Sequence, residues 1–177
     1  MATDPPLPAI TIRQYAPGDA DRVWAILHEV FAAGETYAYP VDVGREDALA
    51  GWTDAPAQAY VAERDGAIVG TSRVMPNQPG HGSHVANGSF VVAPDAAGGG
   101  IGRALGAHAL GAAAALGYRA MQFNLVVSTN HRAIALWESL GFHTVGRLPG
   151  AFVLHGEEVD ALVMYQRLDH LAADPAG

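Results

Sequence analysis

The sequence predicts an α/β fold in which a mixed sheet is flanked by helices. Three observations carry the prediction. An apolar strand, a Pro/Asp turn, a glycine-rich loop and an Ala/Leu helix follow one another from Phe90 to Leu105. Two β-rich runs meet at Asp65-Gly66, a strong hairpin signal. Helix-period segments alternate with short apolar runs and are stopped by Gly34, Gly117 and Gly141.

Taken in order, Ala9 to Tyr15 alternates apolar and polar residues as a half-buried strand does. Asp19 or Asp21 caps a helix carrying Val23, Trp24, Ile26, Leu27, Val30 and Phe31, which ends near Gly34. Glu35 to Asp42 is an aromatic, proline-containing loop, and a short helix is expected over Arg45 to Trp52. Ala59 to Glu63 and Ala67 to Val74 are the hairpin strands. The irregular stretch Met75 to His84 leads into a strand from Val85 to Val92, and the helix after the glycine loop reaches about Leu116. A strand from Arg119 to Val126, a helix from about Thr129 to Leu140, and strands at Phe142 to Leu148 and Glu158 to Arg167 complete the pattern.

The 177 residues, half of them hydrophobic, suit a single domain over 1–177, with 1–8 as a flexible lead-in and 170–177 as a flexible tail. The absence of Cys excludes disulfides, a thiolate nucleophile and a cysteine metal site. Eight scattered His, with no HxxxH-type helical pair, give no reason to expect a metal. No signal peptide and no apolar run of membrane-spanning length is seen, so the expectation is a cytoplasmic protein with no membrane partner. A formal charge of −8 argues against nucleic acid as a partner but leaves room for a local basic groove.

The glycine-rich loop carries the chemistry. A strand–loop–helix junction aims backbone N–H groups and the positive end of a helix dipole at one spot, which suits a phosphate or pyrophosphate. It is not a P-loop, because Gly102 is followed by Arg103 and Ala104 where Lys and Ser/Thr are needed. It is not a dinucleotide fingerprint either, since Arg103 stands at the third glycine position counted from Gly98.

Read together, Gly98 to Leu105, Asn130 at the next strand-to-helix junction, the helix Ala133 to Leu140 and its exit Gly141-Phe142 resemble the GNAT superfamily of acyl-CoA-dependent N-acetyltransferases. The motifs fall in order over nearly the whole chain. The resemblance implies a mostly antiparallel sheet with splayed middle strands, acetyl-CoA as co-substrate and a small-molecule amine as acceptor. It sets the CoA pyrophosphate on Gly98, Gly100, Ile101, Gly102, Arg103 and Ala104, and pantetheine along the backbone of Phe90, Val91 and Val92. Asn130 falls on the CoA arm, at a position where Asn is also a favoured helix N-cap. Homodimers are common in that family, and one is expected here on that ground. Two departures stand out. Ala97 replaces the Gln or Arg that often helps at the phosphates. Trp137 replaces the Tyr that often protonates the leaving thiolate, and an indole cannot serve as that acid. Either CoA leaves as a thiolate, or Tyr165 or His131 assists.

Pro76 to Phe90 and Phe123 to Asn130 are further similar to the fungal L-azetidine-2-carboxylate acetyltransferases, which acetylate the ring nitrogen of proline analogues. That similarity implies a substrate-binding pair at Asn87 and Asn124. Asn is disfavoured in mid-strand, and amide N–H donors from two adjacent strands suit a small carboxylate. Each could instead satisfy a bulge or a neighbouring backbone group. The N–H of Val91 or Val92 is the expected donor to the developing oxyanion. The attacking amine, with a pKa near ~10, must first lose a proton. His84, Glu35 or a water held by backbone carbonyls are the candidate bases. Tyr37 either closes over a small acceptor or packs on Trp52 or Pro40. A cationic-amine or peptide acceptor is one competing reading, and a non-catalytic acyl-CoA sensor is another.

Overall fold

The computed structural model describes residues 9–171; the lead-in at 1–8 and residues 172–177 of the expected tail lie outside the described residues. His170 and Leu171, expected to begin that tail, close a turn in which the Leu171 N–H donates to Leu168 O at 2.9 Å.

The elements are β1 (Thr11–Gln14), α1 (Ala20–Ala33), α2 (Arg45–Thr53), β2 (Gln58–Arg64), β3 (Ala67–Pro76), β4 (Val85–Val92), α3 (Ile101–Ala115), β5 (Ala120–Val127), α4 (His131–Ser139), β6 (His143–Leu154) and β7 (Glu157–Arg167). The strands form a seven-stranded sheet in the order β1-β2-β3-β4-β5-β7-β6. Neighbours run antiparallel except for β4 and β5. That parallel pair is the origin of the site. It holds at Val85–Ala120, Ala86–Met121 and Asn87–Gln122, then stops. Past that point aromatic rings fill the gap, Phe90 and Phe123 lying 4.8 and 4.9 Å from the Trp137 ring. The strands therefore diverge over their last halves, and β4 keeps only β3 as a partner there.

The helices are held by the apolar stripes that the sequence shows. Val23, Ile26, Leu27 and Phe31 of α1 are buried on the sheet, and Gly34 ends the helix at φ +65°. Trp52 of α2 is fully buried, its indole N–H donating to Thr71 Oγ1 at 2.9 Å, while that hydroxyl donates to Tyr60 O at 2.9 Å. Asp19 is the N-cap residue of α1, as expected, but its side chain makes no capping bond to that helix. Its carboxylate accepts instead from the Ala16 N–H at 2.8 Å and from both Arg13 Nη atoms at 2.7 and 2.9 Å. A bidentate guanidinium offers that oxygen pair more than a helix N–H does. Asn130, by contrast, is a true N-cap, accepting from the Ala133 N–H at 3.1 Å.

The main difference from the sequence reading lies at β6. It runs to Leu154 and turns through His155-Gly156 directly into β7, both turn residues having positive φ, +51° and +86°. Pro149-Gly150 reads as the end of a strand. The structure absorbs it as an irregularity between Leu148 and Phe152, with the Gly150 N–H donating to Asp160 at 3.0 Å.

Candidate active site

Between the diverging ends of β4 and β5 lies a cleft of about 770 Å³. The glycine loop and the start of α3 form one end; the α1–α2 loop, Asn87 and Asn124 form the other.

At the first end, Gly98, Gly99 and Gly100 have φ of +97°, +58° and +79°. A side chain in that region costs about 1–2 kcal/mol, and a Cβ at Gly98 or Gly100 would meet nothing within 4 Å. These two glycines serve backbone conformation, not packing. Gly100 starts α3 with no side-chain cap, and the first intrahelical bond runs from the Ala104 N–H to Gly100 O at 2.9 Å. The N–H groups of Ile101, Gly102 and Arg103 are thus left at the positive end of the helix dipole, and all three residues line the cleft. This cradle fits an anionic phosphate group. Ala104, expected in the cradle, falls outside it, because its amide is already bonded within the helix and it does not line the cleft.

Positive charge gathers here despite the acidic chain. Arg103 donates to Ser139 Oγ at 2.7 Å, and Arg132 lines the cleft. Arg64, at the end of β2, brings Nη1 to 2.6 Å from where a Cβ of Gly99 would stand. Sequence reasoning missed Arg64 and Arg132, which arrive from β2 and α4 and belong to no loop motif. Together they offer the charge that Ala97 lacks.

Along β4 the backbone alternates. The Arg119 N–H bonds to His84 O, and the Ala93 N–H to Val69 O, each at 2.9 Å. Even-numbered residues therefore face β5 and the cleft, whereas odd-numbered ones face β3. Val91, which sits opposite Thr71 of β3, turns its amide away from the cleft; of the two expected oxyanion donors the alternation leaves Val92. Phe90 faces the cleft but is already engaged. The Tyr37 hydroxyl donates to Phe90 O at 2.8 Å and accepts from the Phe90 N–H at 2.9 Å, taking the place of the lost β5 partner. Its ring packs edge-on against Phe31 and Trp52, at 5.5 and 6.3 Å. Burial pushes this phenol up to about 12. Of the two roles expected for Tyr37, the packing on Trp52 is present together with an anchor on β4, and the residue also lines the cleft.

At the second end, Asn87 Nδ2 donates to Gln122 O at 3.0 Å and reaches Asn77 Oδ1 at 3.5 Å. Asn124 Nδ2 donates to the same Asn77 oxygen at 2.7 Å, and Gln122 Nε2 donates to Asn124 Oδ1 at 2.8 Å. Both amide nitrogens, expected to face a carboxylate, thus use N–H groups within the protein: Asn87 Nδ2 on a backbone carbonyl and, at 3.5 Å, on Asn77, and Asn124 Nδ2 on Asn77, which leaves Asn124 its second N–H. Asn77 and Gln122 are further members that the sequence reading did not single out. Asn77 lies just past the end of β3, inside the irregular stretch from Met75 to His84, where nothing in the local sequence marks it.

The expected acid–base residues lie elsewhere. His84 is exposed, its Nδ1 3.1 Å from His81 O, and does not line the cleft. Glu35 is exposed and sits 3.7 Å from His155 Nε2 at the β6–β7 turn, not in the cleft. Neither Tyr165 nor His131 lines it, and among the described residues no Asp, Glu or His does. Nor do the described residues hold a cluster of metal-binding side chains or a helix long and apolar enough to cross a membrane.

Residues 22–142 match the acetyltransferase (GNAT) family. The chain belongs to that family. Its similarity to the N-acetyltransferase aca1 of Schizosaccharomyces pombe is 41% identity over 98 residues, 54% of this chain and 47% of that protein, so the chain spans about half that relative's length. The structure of a GCN5-related N-acetyltransferase from Kribbella flavida superposes with a TM-score of 0.86 at 38% identity, covering 90% of this chain and 98% of that one. A GNAT superfamily phosphinothricin acetyltransferase of Sinorhizobium meliloti, solved in complex with acetyl-CoA, shares the fold at TM-score 0.82 and 24% identity over 94% of this chain and 93% of its own. The seven-stranded, mostly antiparallel sheet with its flanking helices is the GNAT fold.

Proposed function

We propose that this protein transfers the acetyl group of acetyl-CoA directly to the amine of a small molecule, with an amino or imino acid such as a proline analogue as the acceptor class. The observation that carries the reading is the cleft itself. Three unpaired helix N–H groups and nearby arginines meet one end, and a cluster of side-chain amides meets the other, with an apolar aromatic floor between them. The first end suits the phosphates of CoA, and the second suits a compact polar acceptor.

In this reading the Val92 N–H faces the thioester carbonyl and stabilises its developing negative charge. The neutral amine attacks, a C–N bond forms, the C–S bond breaks, and the amine's surplus proton passes to water. With no carboxylate or imidazole lining the cleft, no side chain there takes that proton. The thiolate, whose parent thiol has a pKa near ~8.5, leaves without an acid beside it, because Trp137 packs against Phe90 and Phe123 as floor. A cysteine-free chain needs no acyl-enzyme for this route.

The test is thiol release from acetyl-CoA with azetidine-2-carboxylate, hydroxyproline, ordinary amino acids, polyamines and aminoglycosides, for wild type and Asn124→Ala. Release confined to proline analogues and abolished by the substitution is the expected result. Release with cationic amines alone overturns the acceptor class. The lack of a base in the cleft favours a second reading, an acyl-CoA sensor, and CoA binding without release from any amine would select it.

A further inference from the structure

We propose that Asn77 is a positioning residue of the acceptor site, and that the network it anchors turns the Asn87 oxygen, not its nitrogen, toward the attacking amine. The inference rests on the acceptor reading of the cleft given above.

The orientation follows from one atom that cannot be reassigned. Gln122 O is a backbone carbonyl and only accepts, so the Asn87 atom 3.0 Å away is the nitrogen. That nitrogen's other neighbour, the Asn77 atom at 3.5 Å, is then an oxygen. The Asn124 atom 2.7 Å from the same Asn77 oxygen is in turn a nitrogen, which leaves Asn124 Oδ1 to accept from Gln122 Nε2 at 2.8 Å. Polarity thus propagates from a main-chain carbonyl through four side chains. Asn87 and Asn124 line the cleft, whereas Asn77 and Gln122 do not.

The groups left over define what the site recognises. Asn87 retains its oxygen, an acceptor suited to the N–H of an amine and to the positive charge that grows on nitrogen as the C–N bond forms. Asn124 retains one N–H, a donor suited to a carboxylate oxygen. One acceptor and one donor on neighbouring strands match a molecule that carries an amine next to a carboxylate. This also explains how a cleft without a charged acceptor-side residue orients such a substrate. The Asn87 role is independent of the substrate carboxylate, whereas the Asn124 role requires it.

The experiment compares full-length wild type with Asn77→Leu, Asn77→Asp and Gln122→Glu by steady-state kinetics and by the side-chain amide ¹H–¹⁵N resonances of Asn87 and Asn124. Leu removes the shared acceptor at similar size, while Asp restores it. The expected result is a rise of about tenfold in acceptor KM for Asn77→Leu, with acetyl-CoA KM within about twofold. Protected amide signals should be lost in Asn77→Leu and retained in Asn77→Asp. Azetidine, which lacks the carboxylate, should lose turnover with Asn87→Ala but not with Asn124→Ala. Unchanged amide signals in Asn77→Leu, or equal damage from Leu and Asp, overturns the inference. If Asn77→Leu fails to fold, Gln122→Glu decides, since it offers Asn124 Oδ1 an acceptor in place of a donor and must turn that amide over; an unmoved Asn124 signal overturns the proposal. Absence of acetylation of any amine defeats the acceptor reading alone, because the amide signals still report on Asn77. Robust acetylation with indifferent amide signals defeats the inference alone.

Discussion

At the loop end of the cleft the polar groups are backbone N–H donors of three consecutive residues, Ile101 to Arg103, whereas at the proposed acceptor end they form a network of side-chain amides brought from three places, the β3–β4 connection, β4 and β5. The loop end needs only one local conformation, set by glycines with positive φ and the start of a helix. The acceptor end needs the sheet register, the divergence of β4 from β5 and a chain of oriented amides to be correct together. A site made of backbone tolerates most side-chain changes and fails when its φ angles are disturbed. A site made of a side-chain network fails one atom at a time.

The largest effect should come from the acceptor end. Asn87→Ala removes the oxygen proposed to face the amine and leaves Gln122 O without its donor, so kcat/KM should fall by about 100-fold, near 2.7 kcal/mol. Acetyl-CoA KM should stay within about threefold. Steady-state kinetics with both substrates varied checks this, and a matching rise in acetyl-CoA KM would erase the distinction between the two ends.

The contrast also explains what could be read from the sequence. The loop conformation from Gly98 to Arg103 was legible because a glycine run before a helix is written in consecutive residues, whereas the amide of Ala104 is already bonded to Gly100 O. Asn87 and Asn124 stand out in the sequence because Asn in mid-strand breaks a propensity rule, and both line the cleft, but their polarities depend on Gln122 O from a neighbouring strand. Asn77, Arg64 and Arg132 depend on contacts between remote elements and carry no local mark. Val91 and Val92 look alike in sequence, and only the ladder register tells which amide faces the cleft. The long β6 was hidden by Pro149-Gly150, a turn signal that an irregular strand pairing overrode.

The support of α1 sharpens the comparison further, because that helix carries the loop that lines the acceptor end. Arg13 grips Asp19 with two bonds and Glu63 at 2.6 Å, joining the start of α1 to β1 and β2. The Arg13 hydrogen bonds hold the Asp19 carboxyl below the usual carboxylate range. Asp19→Asn should cost about 2 kcal/mol at neutral pH, the scale of a charged hydrogen bond. Because the folded value is the lower one, this contribution is complete above the unfolded value near ~3.9 and fades as pH falls further. Thermal melts at pH 7 should separate wild type from Asp19→Asn, and the gap should narrow below about pH 4. Acceptor KM should rise in the variant while CoA affinity holds.

For the loop end the matching test is Gly100→Val. A β-branched residue at φ +79° is strained whatever room surrounds it, so about tenfold in CoA affinity should be lost, the equivalent of 1–2 kcal/mol of backbone strain. Ile101→Val, which keeps the backbone, should change affinity by less than about twofold. Calorimetric titration with CoA reads both. Equal losses would mean that side chains, not N–H groups, make the cradle.

The smallest effect should come from Tyr37→Phe, which tests the place where the two ends touch. The phenol satisfies both the N–H and the C=O of Phe90, on the stretch of β4 that lost its partner. Deleting it should cost about 1 kcal/mol in a thermal or denaturant melt, since water entering the cleft can replace it in part. Burial raises this phenol to about 12, so its contribution is whole below the unfolded value near ~10 and is lost as pH climbs from there toward the folded value. The stability gap between wild type and Tyr37→Phe should therefore be flat from about pH 6 to 9 and close above about pH 10. Across the flat range the pH profile of kcat/KM should keep the same shape in both proteins, because the phenol never changes charge there. A profile that loses an ionisation with the hydroxyl would make Tyr37 a proton carrier, and the backbone anchor would then be the lesser part of its role.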